Sequence, residues 1–185
     1  GELEADRLRS HGLRVGIDEP YQHFGFRGRA DVVAWSTDPP RLLHIENRTR
    51  FPEIGEMAGA WNSKRRWLGQ ELAARIGVRA WATETHVMAC LWSREVLDAV
   101  RRHPATFEAL APDPTTAFDA WWAGATPATG RSTTFILLDP FDGSTDAIAS
   151  LAACLDRQTT ARMPGYSAAA RRLAGRRSKI GRAHV

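Results

Sequence analysis

The chain has 185 residues, with 25 Lys and Arg against 21 Asp and Glu, 43% hydrophobic and 25% charged residues, and a pI near 9.7. That balance is ordinary for one globular domain with a real core. No apolar run approaches the ~18 residues of a membrane span, no signal peptide opens the chain, and Cys90 and Cys154 form no CxxC pair; a cytoplasmic protein without a zinc knuckle or disulfide framework is expected.

The basic surplus is local. Arg171, Arg172, Arg176, Arg177, Lys179 and Arg182 account for it, and without them the formal net charge falls from +4 to −2. The basic character therefore belongs to the tail and does not by itself argue for nucleic acid. Residues 179–185, "KIGRAHV", can be back-translated into a string that resembles a short-read sequencing adapter, so a non-native tail is expected there. With Gly in place of an initiating Met, the sequence reads as a fragment, with a further domain expected in front of it.

In chain order, "ELEADRLRSHG" predicts a short helix stopped by Gly12. "LRVGID" and "FGFRGRADVVAW" predict strands, and "TDPP" a turn into a third, "RLLHIENR". "EMAGAWNSKRRWLGQELAARIG" predicts a long amphipathic helix, with Met57, Trp61, Leu68, Leu72 and Ile76 inside a sector of about 100°. "THVMACLW" predicts a buried strand, and Ser93 caps a helix over "SREVLDAVRRH". "DPTTAFDAWWAG" predicts another helix and "TTFILLDP" a last strand. An Ala-rich helical extension follows residue 145. The expected organisation is an α/β domain over 1–145, a helical extension over 146–178 and the tail at 179–185.

Period-2 alternation puts Arg29, Asp31, Val33 and Trp35 on one face of the second strand, and Leu42, His44, Glu46 and Arg48 on one face of the third. Paired strands bring Asp31 and Glu46 together, and two such carboxylates need a cation to stay ionised. A hard divalent ion suits oxygen ligands and can activate water at a phosphodiester. Against this stands the plain alternative of an ion pair between Glu46 and Arg48, or between Asp31 and either Arg29 or Arg48.

"GRAD", Gly28 to Asp31, followed by "ENR", Glu46 to Arg48, resembles the G-x-x-D … E-x-K pattern of the PD-(D/E)xK nuclease superfamily, and the order α-β-β-β-α-β resembles its restriction-endonuclease-like core. The resemblance covers about half the chain, residues 1–92. It implies a metal-dependent nuclease acting on DNA, with Asp31 and Glu46 as Mg²⁺ or Mn²⁺ ligands, helped by the Asn47 carbonyl and by Glu4 from the first helix. Arg48 departs from the pattern, because arginine binds phosphate as a fork but cannot exchange a proton as lysine does. Lys64, about 20° from Met57 on the helical wheel, is expected to reach Glu46 and, with Arg48, supply the catalytic cation. Asn62, Arg65 and Arg66 are expected to contact a nucleic-acid backbone. The alternative is a catalytically degenerate nuclease-fold module in a DNA-associated regulator.

Three other signals carry less. "DPFDGS" from Asp139 resembles the metal loop of inositol-monophosphatase enzymes, but only scattered Glu108, Asp113 and Asp119 lie upstream; a phosphatase is a minor alternative. "HIE" from His44 lacks the downstream cysteines of a zinc deaminase, and His44 is expected to be half-buried. Cys90 is expected to be a buried free thiol, and Trp61, Trp67, Trp121 and Trp122 core or rim aromatics.

Overall fold

A computed structural model describes residues 1–142 and 147–182, with residues 175–182 described by backbone alone. The elements are α1 (Glu2–Ser10), β1 (Arg14–His23), β2 (Phe26–Thr37), β3 (Pro40–Arg48), α2 (Ile54–Ile76), β4 (Thr83–Leu91), α3 (Arg94–Arg102), α4 (Pro104–Leu110), α5 (Thr116–Trp122), β5 (Gly130–Leu138), β6 (Ile148–Ser150), α6 (Leu151–Leu155) and α7 (Tyr166–Arg182). The first six give the α-β-β-β-α-β order read from the sequence, with further helices towards the C-terminus. No helix among the described residues is long and apolar enough to cross a membrane.

The six strands form one mixed sheet in sequential order. β1, β2 and β3 make an antiparallel meander, β3, β4 and β5 run parallel, and β6 returns antiparallel along β5. Helices cover both faces. On one face, Ala5 and Leu8 of α1 and Phe118, Trp121 and Trp122 of α5 pack on Val32, Ala34, Leu43, Ile45 and Val87. On the other, α2, α3, α4 and α6 enclose a core that includes Trp61, Met88, Phe107, Phe135 and Cys154. Both faces of β4 are thus buried, as its near-continuous apolar run demands.

The α2 stripe forms as the pattern requires: Met57, Trp61, Leu68 and Leu72 are buried. Trp61 is fully buried and its indole N–H donates to the Leu110 carbonyl at 3.0 Å, so this large ring leaves no unpaired donor in the core. At the far end Gly77 takes φ +76°, a left-handed conformation that glycine adopts without a Cβ penalty, and the Val78 N–H caps the Ala73 carbonyl at 2.9 Å. The Ser93 hydroxyl caps α3 by accepting the Val96 N–H.

Two expectations are corrected, and one helix was not read at all. Among the described residues beyond 145 a strand, β6, precedes the helices; three residues are too few for alternation to announce them. The unread helix is α4, seven residues that open on Pro104, with too few turns to show a periodic stripe. The second correction concerns β2. Ala30 and Val33 both pack in the cluster against Leu68 and Leu72 of α2, so strict alternation through Asp31 fails. The flanking pairs Ile17↔Val32 and Glu19↔Ala30 place Asp31 opposite Asp18, which has φ +54°. Aspartate tolerates that left-handed conformation better than most residues, and the irregularity shifts the faces of both strands beyond it.

Candidate functional site: a carboxylate centre closed by cations

Register across the sheet sets out the site in rows beneath α2. Val33, His44, His86 and Thr133 are cross-strand neighbours, and so are Leu42, Glu84 and Arg131. At the next step Glu46 stands beside Met88, which in turn pairs with Phe135. A row of polar side chains thus lies between the sheet and a helix, where each needs a partner.

Glu46 finds three. Lys64 of α2 contacts both of its carboxylate oxygens, with Nζ at 2.6 Å from Oε1 and 2.7 Å from Oε2. Arg48 Nη2 donates to Oε1 at 2.7 Å, and His44 Nε2 lies 3.5 Å from Oε2. Glu46 is 1% exposed and Lys64 8%, so the pair sits in a low dielectric, where attraction is strong but desolvation is costly. Burial alone would push the Glu46 carboxyl up; the His44 imidazole first, and then Lys64, outweigh it and hold Glu46 below its ordinary range.

Asp31 is half-buried, and its Oδ2 accepts the Asn47 N–H at 2.7 Å. Burial and then the nearby Glu46 charge raise its carboxyl above the ordinary value, against the lowering pull of that hydrogen bond, Lys64 and Arg48. The two carboxylates therefore feel each other, as the strand pairing predicts. The Tyr21 hydroxyl is raised for the same two reasons, burial and Glu46.

Behind Glu46 runs a polar chain that the sequence reading missed. His44 Nδ1 lies 3.1 Å from His86 Nδ1, and His86 Nε2 lies 2.9 Å from Glu84 Oε1. Arg131 Nη2 donates to the same Glu84 oxygen at 3.1 Å. Both histidines are fully buried, which corrects the half-buried expectation for His44. If Glu84 accepts from His86 Nε2–H, neutral His86 presents Nδ1 as an acceptor, and His44 must donate. Burial, resisted by Glu84, depresses His86 to about 4, so it is neutral at pH 7. Glu84 is itself lowered: burial pushes it up, but His86 and then Arg131 pull it further down. Gly69 lets Glu84 lie against α2, since a Cβ there would collide with the carboxylate. Only part of the signal lay in the sequence: His44 alternates onto the same face of β3 as Glu46, while its pairing with His86 comes from the parallel register of β3 and β4.

The remaining expected residues fall into two places. Glu4 is buried, as its helical position predicted, and lines a cavity that Asn47 and Arg48 also line. Asn62, Arg65 and Arg66 share a separate pocket of about 440 Å³ with Arg131 and Thr133. Arg29, an alternative partner for Asp31, pairs instead with Asp18 at 2.6 Å. At the inositol-monophosphatase-like stretch, Arg162 binds both aspartates, 3.5 Å from Asp139 and 2.9 Å from Asp142; the next four residues lie outside the described ones. Cys90 and Cys154 are buried free thiols, with Cys90 raised well above its usual value and Cys154 pushed up to about 12, both chiefly by burial.

The ions that the resemblance implies, Mg²⁺ or Mn²⁺, require free carboxylate oxygens as ligands. Both Glu46 oxygens contact Lys64, and one Asp31 oxygen accepts the Asn47 N–H. Among the described residues no three or more His, Cys, Asp or Glu side chains gather as a metal-holding group. A divalent cation needs carboxylate oxygens turned towards it, and in this arrangement an ammonium takes that place; the residues as arranged do not fit the ion.

Comparison with protein-family models, curated proteins and solved structures finds no match.

Proposed function

We propose that this chain is a catalytically degenerate nuclease-fold module that works by binding, as part of a DNA-associated regulator. The α-β-β-β-α-β order and the placing of Asp31 and Glu46 on neighbouring strands support a divergent relation to PD-(D/E)xK nucleases. One observation carries the loss of catalysis: the Lys64 ammonium lies against both oxygens of the Glu46 carboxylate. A lysine poised to serve a reacting phosphate would keep its ammonium towards the substrate. Here it is spent as an internal counter-ion, with Arg48 as a second.

Metal-dependent cleavage is the second reading, and one observation favours it. Asp31 and Glu46 flank the cross-strand pair Val32↔Ile45, and burial and then the Glu46 charge raise the Asp31 carboxyl, a strain that one shared cation would relieve. An assay separates the readings. Supercoiled plasmid incubated with the chain in Mg²⁺ or Mn²⁺ is expected to stay intact. Metal-dependent nicking that vanishes in both Glu46→Gln and Asp31→Asn would overturn the degenerate reading and establish the nuclease.

A further inference from the structure

On the outer side of α2, away from the buried pair, three guanidinium groups meet. Arg65, Arg66 and Arg131 line one pocket with Asn62 and Thr133. Two carboxylates act on them. Glu84 holds Arg131 at 3.1 Å, and Asp113, whose oxygen accepts the Thr133 N–H at 2.7 Å, acts on Arg65 through its charge. One positive charge is left over. The donors are also held in place: Arg65 Nη1 donates to the Leu110 carbonyl at 3.0 Å, and Arg131 donates to the Arg65 carbonyl. Burial, and then repulsion from Arg131, lowers Arg65. An anion between two such forks relieves that repulsion, and a phosphate oxygen matches their geometry.

Arg66 also begins a column of flat groups. Its guanidinium lies 4.8 Å from the centre of the Trp67 ring, Trp67 stacks on His23 at 3.8 Å, and His23 meets Phe24 edge-on at 4.6 Å. Glu71 fixes the His23 ring through Nδ1 at 2.6 Å. The column ends in solvent at the tip of the β1–β2 hairpin, where Phe24 is 88% and Phe26 54% exposed. Arg27 follows directly in the chain. Two exposed phenylalanines beside arginines on a tight turn do nothing for the core, but each offers a face on which a base can stack.

We propose that this surface binds an unpaired nucleic-acid strand, with phosphates in the Arg65–Arg66–Arg131 pocket and bases against Phe24 and Phe26. Free phosphate would need only the pocket. The aromatic column leading from it is the reason to assign a strand, since bases must be unstacked to reach those rings. The assignment rests on the DNA-associated reading above for its biological setting, but not on whether the Glu46 centre is active.

Anisotropy of a short labelled single strand of mixed sequence, of the same sequence as duplex, and competition by inorganic phosphate test the assignment on the full chain. The strand is expected to bind more tightly than the duplex. Arg66→Ala, and Phe24→Ala with Phe26→Ala, are each expected to weaken strand binding by roughly tenfold, in line with one stacked base or one lost phosphate contact. These side chains are exposed, so the variants keep the fold, and Arg157→Ala outside the surface should bind as wild type. Absence of binding, survival of binding in both variants, or binding of phosphate but not of the strand would overturn the proposal. Duplex bound as tightly as strand would also overturn it, while leaving the DNA-associated reading in place. A bound strand cut in Mg²⁺ would remove the degenerate reading and leave the binding surface standing.

Discussion

Lys64 and Arg65 are adjacent in sequence and meet opposite fates. One step along an α-helix turns the side chain by about 100°, which sends Lys64 under α2 to Glu46 and Arg65 to the rim above Trp61. Beneath the helix, charges are matched and buried: Glu46 is wrapped by Lys64, Arg48 and His44. At the rim, guanidiniums crowd together with one charge in excess. A carboxylate whose partners are all internal has little left to offer a ligand, whereas a surplus of donors at the surface remains open to an anion.

Removing the Lys64 ammonium should do the most damage. Lys64→Ala leaves Glu46 buried with its main partner gone, and is expected to cost about 3 kcal/mol in urea unfolding, the range for half of a broken buried pair. Glu46→Gln combined with Lys64→Met should recover most of that loss, because both charges then disappear together. If Lys64→Ala unfolds like wild type, Lys64 does not lock Glu46 in place as an internal counter-ion. Arg66→Ala, on the other side of the same helix, should change stability by less than about 0.5 kcal/mol.

The buried histidine chain gives the next effect. His86, depressed to about 4 in the fold against 6.5 when unfolded, binds its proton less well in the native state. Its contribution is therefore fully present above about pH 6.5 and is lost as pH falls towards 4. The loss is on the order of 3 kcal/mol. Unfolding of wild type and His86→Gln across that window isolates it: the wild type should lose more stability on acidification than the variant. Parallel curves would contradict the assignment. Ser93→Ala, which removes only the α3 cap, should cost about 1 kcal/mol by the same assay and leave any binding at the rim untouched.

Much of the fold was legible because it rests on local periodicity. The α2 stripe, the Gly77 stop, the Ser93 cap and the apolar run of β4 each follow from a pattern contained in one segment. What was illegible depends on partners far apart in the chain. The break in alternation at Asp31 comes from its position opposite Asp18, and period-2 counting along one strand cannot see it. The site was half-legible in the same way. Lys64 could be aimed at Glu46 from its place on the helical wheel, whereas the His44–His86–Glu84–Arg131 chain needs the parallel register of β3, β4 and β5. The pocket needed it too: Asn62, Arg65 and Arg66 stand close together in α2, but Arg131 arrives from β5.

On the proposed reading, Lys64 holds the place a metal would take beside Glu46. Manganese titration followed by electron paramagnetic resonance tests it on the wild-type chain, with Glu46→Gln as the reference. The lock predicts that the free Mn²⁺ signal is the same for both proteins, with no saturable binding that depends on Glu46. A saturable loss of free Mn²⁺ signal in wild type, absent in Glu46→Gln, would contradict it and return the centre to metal chemistry.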